Sequence, residues 1–242
     1  MTPSLAVTVL GADGSYPGPG GACSGYLVGA GDTLVWLDAG TGTLANLQRH
    51  ADLGQVDAIV LSHAHADHWT DIEGYYVACR YFLGRRRVPV YAPPGLRQLP
   101  RGVDDDGTFV WHEIEDGSQV EVGPLRMRFS RTDHPVETLA VRVESGGRAL
   151  GYSADTGPAW SLGELGPLDL ALVEASFLAP HEGRARHLSA RQAGMAARQA
   201  GARRLVITHI SPTVERAAAQ AEAESSFGQP VDAALVSARY VA

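Results

Sequence analysis

Lysine is absent from this 242-residue sequence, and all 20 cationic side chains are arginine. The bias reads first as GC-rich coding, with the anion-binding geometry of the guanidinium as a secondary use. A formal net charge of −7, with no long acidic run, argues against broad nonspecific contact with nucleic acid, although a local basic patch is compatible with it. Cysteine is scarce. Cys23 and Cys79 give no disulfide framework and no Cys-x-x-Cys pair. No apolar run reaches the roughly eighteen residues of a membrane-spanning helix, which excludes a membrane protein of that kind. The opening MTPSLAVTVLG passes into a strand pattern without a charged segment and cleavage site, so a cytoplasmic protein is expected. What the chain does have is 45% hydrophobic residues, enough for a sizeable core. The expectation is a single domain made of two similar halves, about 1–105 and 106–242.

Apolar periodicity predicts strands near 5–10, 25–28, 33–37, 58–61 and 88–91, with one helix over about 69–83. The second half is predicted to begin with antiparallel strands at 109–114, 120–122, 125–130, 139–143 and 149–152, the last two joined at Gly146-Gly147. A strand at 168–173, a helix at 189–200, a strand at 204–208, a helix at 212–225 and a strand near 231–237 follow. The mixture predicts an α/β layered sandwich with helices outside. Its strand ends are the expected place for chemistry.

The densest chemistry lies in LSHAHADHWTD, residues 61–71, directly after the apolar run Ala58-Ile59-Val60-Leu61. Continued extended geometry points His63 and His65 the same way. A turn into a helix near His68 brings Asp67 and His68 round from the other side of one cavity. Imidazole and carboxylate suit Zn²⁺, and this many donors at a strand end could serve two neighbouring ions.

The spacing H-x-H-x-D-H after an apolar strand resembles the signature of the metallo-β-lactamase superfamily, and the resemblance covers nearly the whole chain. It implies a four-layer αββα sandwich of two mixed β-sheets. It also implies a dinuclear hydrolase in which His63, His65 and His134, in RTDHPVETLAV, hold one divalent ion, Asp67, His68 and His209, in LVITHISP, the other, and Asp155, in GYSADTGP, bridges them. His134, Asp155 and His209 each follow an apolar strand, and each alone has an ordinary alternative, a surface or core histidine or a turn aspartate. His50 and His112 match no motif. Asp38, in LVWLDAGTG, matches a carboxylate that orients a ligand. Zn²⁺ is expected, with Mn²⁺ or Fe according to availability. Class B β-lactamases commonly carry cysteine where this chain has Asp155, which disfavours that activity.

LVEASF, with Glu174, and RHLSARQAG, with His187, resemble the paired H-E-A-T and H-S-T motifs of the ribonuclease Z branch, whose Glu and His lie beside the phosphate. Val173 and Leu188 depart from those patterns, which leaves a strand-end carboxylate and a pre-helix histidine as the plain alternatives. Enzymes that mature tRNA 3′ ends carry a long basic arm, inserted between the residues matched by His134 and Asp155. Only one hairpin fits between those residues here, so structured RNA is a disfavoured partner. The compact pattern resembles small proteins related to ribonuclease Z and to cyclic-nucleotide phosphodiesterases, which implies a small phosphodiester substrate, a cyclic nucleotide such as cyclic AMP. A ribonuclease Z-like endonuclease acting on RNA 3′ ends, and a lactonase or thioesterase, are the alternatives. In the expected mechanism, a water activated between the ions attacks phosphorus and gives its proton to Asp67. His187, oriented by Glu174, protonates the leaving oxygen.

Two segments stay ambiguous. The glycine-rich loop GADGSYPGPGGACSGYLV is either a permissive connection or an anion nest near the metals. Arg85, Arg86 and Arg87 follow a helix end, where solvated cations suit the macrodipole, with phosphate binding or a dimer contact as alternatives. Ile72, Tyr75, Tyr76, Cys79 and Phe82 repeat at helical spacing, as if packing one face on the sheet or on a second subunit. A homodimer is expected.

Overall fold

The computed structural model describes residues 4–242. Short apolar runs become β1 (Ala6–Gly11), β2 (Gly25–Ala30), β3 (Thr33–Ala39), β4 (Ala58–Val60), β5 (Val88–Ala92) and β6 (Phe109–Glu113), which lie in one sheet. A second sheet takes β7 (Gln119–Val122), β8 (Leu125–Arg131), β9 (Leu139–Ser145), β10 (Arg148–Tyr152), β11 (Leu170–Glu174), β12 (Leu205–Thr208) and β13 (Val231–Ala233). The chain then returns to the first sheet, where β14 (Arg239–Val241) pairs antiparallel with β1. Each sheet runs through antiparallel pairings and then parallel ones. In the first, β14, β1, β2 and β3 are antiparallel and β3 to β6 parallel. In the second, β7 to β10 are antiparallel and β10 to β13 parallel.

Three apolar cores make the layers. Between the sheets, Val7, Tyr26 and Leu37 meet Phe129, Leu150 and Leu172. On the outer face of the first sheet, α1 (Thr43–Leu47) and α2 (Asp71–Val77) lay Leu47, Ile72 and Tyr75 over Trp36, Ile59 and Val90. The edge-on pair of Trp36 and Tyr75, with ring centroids 5.5 Å apart, adds about 1 kcal/mol beyond area burial. On the outer face of the second sheet, α3 (Ala190–Gln199) and α4 (Arg216–Phe227) lay Ala193, Ala197 and Ala219 over Val173, Leu205 and Ile207. Small residues allow these two helices to approach closely: a Cβ at Gly194 would stand 2.4 Å from the Ala223 carbonyl. The result is the helix–sheet–sheet–helix sandwich that the sequence predicts. Among the described residues, no helix is long and apolar enough to cross a membrane.

Three local expectations need correction. Phe109–Glu113 does not open the antiparallel run of the second half; it pairs parallel with β5 at the edge of the first sheet. The helix predicted over 69–83 starts at Asp71 and changes at Ala78 into a π-helix, Ala78–Leu83. That wider turn rotates the apolar stripe. Ile72, Tyr75, Tyr76 and Cys79 stay buried, whereas Phe82, next in the helical repeat, is 81% exposed. Arg85 is not a freely solvated cation either. Its Nη1 donates to the carbonyls of Leu53 and Val56 at 3.1 and 2.8 Å and to the Tyr75 hydroxyl at 2.9 Å, and Arg86 donates to Thr108 Oγ1 at 2.6 Å. Backbone carbonyls hold the Arg85 guanidinium, and a side-chain hydroxyl holds that of Arg86.

Candidate metal centre

Every predicted ligand sits just beyond a strand end, and all of them converge on one edge of the sandwich. His63 and His65 follow β4, Asp67 and His68 lie in the single 3₁₀ turn Ala66–His68, His134 follows β8, Asp155 follows β10 and His209 follows β12. Four donors form a first group. His65 Nδ1 stands 3.2 Å from His63 Nε2 and 3.1 Å from His134 Nε2, and Asp155 Oδ2 lies 3.5 and 3.9 Å from those two nitrogens. A second group is contiguous with it. Asp67 Oδ2 is 3.2 Å from His209 Nε2 and 3.6 Å from His68 Nε2, and Asp155 Oδ1 is 3.4 and 3.3 Å from the same nitrogens.

Two of these separations bring His65 Nδ1 against the Nε2 atoms of His63 and His134, whose Nδ1 atoms already have partners, and the rest set ring nitrogens against carboxylate oxygens. Tetrahedral bonds of about 2.0–2.1 Å separate neighbouring ligand atoms by about 3.3 Å. The residues therefore fit a pair of divalent ions, with one oxygen of Asp155 turned to each group. Two buried atoms support the fit directly: His68 Nε2 and Asp155 Oδ1 have no hydrogen-bond partner. Buried polar atoms seldom go unmatched, and an ion satisfies both.

The opposite nitrogen of each backed ring is fixed from behind. Buried Asp38 takes Ser62 N on Oδ1 at 2.7 Å and, on Oδ2, His68 Nδ1, Ser62 Oγ and the Tyr152 hydroxyl, each at 2.8 Å. Ser62 Oγ, having donated to Asp38, accepts from His63 Nδ1 at 3.0 Å. His134 Nδ1 donates to the Arg186 carbonyl at 3.1 Å. His209 Nδ1 donates to Ser176 Oγ at 2.9 Å, which donates to Glu174 Oε2 at 2.8 Å. In each case Nδ1 bonds away from the centre and Nε2 is the nitrogen turned toward it.

Backbone strain concentrates here. Asp38, Ala154 and His209 all hold left-handed φ, at 55°, 50° and 51°, a region that non-glycine residues seldom adopt. The front loop also serves the centre. Ser15 N donates to Asp67 Oδ2 at 2.8 Å, and a Cβ at Gly14 would fall 2.6 Å from the His209 carbonyl. Asp13 anchors this loop to Arg216 and to Gly18 N. Thus one backbone N–H of the loop holds a ligand carboxylate, and permissive glycine lets it come close enough to do so.

The two departures from the resemblance are core residues. Val173 and Leu188 are both buried under α3, and their neighbours Glu174 and His187 face the centre. Fully buried Glu174 accepts Thr156 N at 2.6 Å and His187 Nδ1 at 3.0 Å on Oε1. The His187 ring lies 5.1 Å from that of His134 and stacks at 5.4 Å on that of His209, and its side chain is 18% exposed. Sequence reasoning missed Ser62, Tyr152 and Ser176. His50 bonds Ser237 and His112 stacks on Tyr91; neither belongs to the centre.

Charge follows the geometry. Burial works to raise the Asp155 carboxyl, but His209, His68 and His63 hold it well below the usual range. Burial opposes the charged form of His68, yet Asp155 and Asp38 raise it well above the usual imidazole value, and Asp155 with Asp67 raises His209. His63 goes the other way, lowered by burial and by neighbouring His68. His187, also opposed by burial, is raised by Glu174 to about 9. Without metal, His68 and His209 therefore hold a proton more firmly than a free imidazole does, and an ion must displace it. Zinc binding should release protons, visible as a heat that changes with buffer ionisation enthalpy, and affinity should fall on going from about pH 8 to pH 6. A buffer-independent heat would contradict this charge assignment.

The Beta-lactamase superfamily domain matches residues 33–210, most of the chain. The chain belongs to this superfamily. An uncharacterized protein of Mycobacterium tuberculosis is 39% identical over 96% of this superfamily member and 90% of its own length. The probable metallo-hydrolase YhfI of Bacillus subtilis is 31% identical over 85% and 87%. Its crystal structure, a metallo-β-lactamase fold protein, superposes with a TM-score of 0.92 over 99% of this chain and 100% of that one, at 27% identity. A ribonuclease Z of Methanopyrus kandleri is 25% identical over 94% of each chain. The short form of human tRNase Z shares the fold, with a TM-score of 0.77, 20% identity and coverage of 97% and 98%. Together with the His/Asp cluster, these matches make the protein a metal-dependent hydrolase of the metallo-β-lactamase fold, related to ribonuclease Z.

Proposed function

We propose that this hydrolase cleaves a small phosphodiester, a cyclic nucleotide such as cyclic AMP. The observation that carries the reading is the His187–Glu174 pair, held at 3.0 Å beside the bridging Asp155. An alkoxide leaving group departs slowly unless it is protonated, and a positioned imidazole beside the metal groups supplies that proton. Two divalent ions, held by the seven His and Asp donors, would activate water and neutralise phosphoryl charge. Asp67 commits Oδ2 to the centre and to Ser15 N, which leaves Oδ1 to take the proton of the attacking water. Glu174 keeps His187 Nδ1 as a donor, so Nε2 is the atom that hands its proton to the leaving oxygen.

Size supports the small substrate. Between His134 and Asp155 the chain makes only β9, a tight turn at Gly146 and Gly147 with φ of 59° and 78°, and β10. No arm stands there to grip a folded RNA, which disfavours the reading taken from the ribonuclease Z relatives. Metal-loaded protein given cyclic AMP, a precursor tRNA and an acyl-homoserine lactone should turn over the first. Turnover of the lactone alone would remove the phosphodiester reading.

The proton donor has its own test. His187→Ala should retain metal and lose about 10²–10⁴-fold in turnover of an alkyl phosphodiester, yet lose much less with a p-nitrophenyl ester, whose leaving group needs no proton. Equal losses on both substrates would rule out proton donation by His187.

A further inference from the structure

The two halves of the metal centre are unequally built. The group of His63, His65 and His134 has one carboxylate within reach, the shared Asp155. The group of His68 and His209 has that carboxylate and a second of its own, Asp67. The residues behind the rings widen the difference. His68 donates straight to buried Asp38, and His209 reaches buried Glu174 through the Ser176 hydroxyl. In the other group only His63 has such a relay, through Ser62 to Asp38, while His134 is backed by a neutral carbonyl. That carbonyl belongs to Arg186, whose guanidinium lies 4.0 Å from Asp133 and is largely exposed. Of the five imidazoles in the two groups, His65 alone is only partly buried.

We infer that the centre fills in a fixed order: the site of Asp67, His68, His209 and Asp155 binds its ion first and tightly, and the site of His63, His65 and His134 binds a weaker, exchangeable one. Two effects set the order. A dication gains more from two anionic ligands than from one in a site that excludes water. A carboxylate hydrogen-bonded behind an imidazole raises its basicity as a ligand, and removing such partners costs about 10–100-fold in metal affinity. Ser176 and Tyr152 are positioning residues in this scheme. Ser176 transmits Glu174 to His209, and Tyr152 reaches from β10 across the inter-sheet core to hold the Asp38 oxygen that orients His68. A protein so built would be singly loaded when metal is scarce and doubly loaded when it is plentiful.

The inference rests on the two-ion reading of the centre and is independent of the substrate. Metal-free, full-length protein is titrated with Zn²⁺ by calorimetry against a competing chelator, and with Co²⁺ by visible absorption, each for wild type, His65→Ala and Ser176→Ala. Two steps should resolve, at least about tenfold apart. His65→Ala should delete the weaker step and keep the tighter, and Ser176→Ala should weaken the tighter step about tenfold while sparing the other. Circular dichroism checks that the variants fold, and Ser176→Ala decides alone if His65→Ala does not. Loss of the tighter step in His65→Ala, an equal weakening of both steps in Ser176→Ala, or one unresolved two-ion step in the wild type would each overturn the order. A flat titration would instead sink the two-ion reading itself.

Discussion

Asp155→Asn will lower kcat/KM by at least about a thousandfold and leave the protein with no more than one tightly held ion. The asparagine keeps the shape of the side chain, so the loss is electrostatic. One carboxylate oxygen faces His63 and His134, the other His68 and His209. An amide has one oxygen for two such places, and its NH₂ group must face either an ion or imidazole lone pairs. Metal-supplied stabilisation of phosphoryl charge is worth several kcal/mol, and about 4 kcal/mol corresponds to a thousandfold. Elemental analysis and steady-state kinetics on the same preparation make the check. Two retained ions with activity within tenfold of wild type would remove Asp155 from its bridging place.

Asp38→Asn should destabilise the metal-free protein by about 3–5 kcal/mol, although Asp38 is not itself a candidate ligand. The backbone would not object, since asparagine tolerates left-handed φ as readily as aspartate does. The difficulty lies in the donors. Asp38 Oδ2 accepts from His68, Ser62 and Tyr152, and Oδ1 accepts from Ser62 N. Whichever way the amide turns, its N–H groups point at donors in a buried pocket. In a domain of this length each kcal/mol moves Tm by about 2–4 °C, so a fall of roughly 10 °C is expected in a thermal melt of the metal-free form. A shift under about 2 °C would mean that the network relaxes at little cost.

Much of the centre was legible because the donors nearest in sequence are also nearest in space. His63, His65, Asp67 and His68 read as one cluster, and His134, Asp155 and His209 each follow a strand that apolar residues mark. The residues that hold those side chains in place were not legible. Tyr152 reads as a core aromatic in an apolar strand, and its hydroxyl finds Asp38 only because two sheets stack face to face. Ser62 and Ser176 are ordinary residues until the rings beside them need an acceptor. Likewise, the parallel pairing of β6 with β5 and the return of β14 to β1 depend on contacts distant in sequence, which local periodicity does not encode. The π-turn at Ala78–Leu83 was missed for a different reason. Its residues suit an α-helix, and only the capture of Arg85 by the Leu53 and Val56 carbonyls accompanies the wider turn.

Both sheets pass from antiparallel to parallel at corresponding strands, β3 and β10, and an aspartate stands at the end of each, Asp38 and Asp155, with left-handed backbone at Asp38 and at Ala154. Neither half alone holds a full set of donors: one carries His63, His65, Asp67 and His68, the other His134, Asp155 and His209. β14, which the second half of the chain lends to the first half's sheet, ties the two donor sets together, so unpairing that strand would loosen the centre from its far edge.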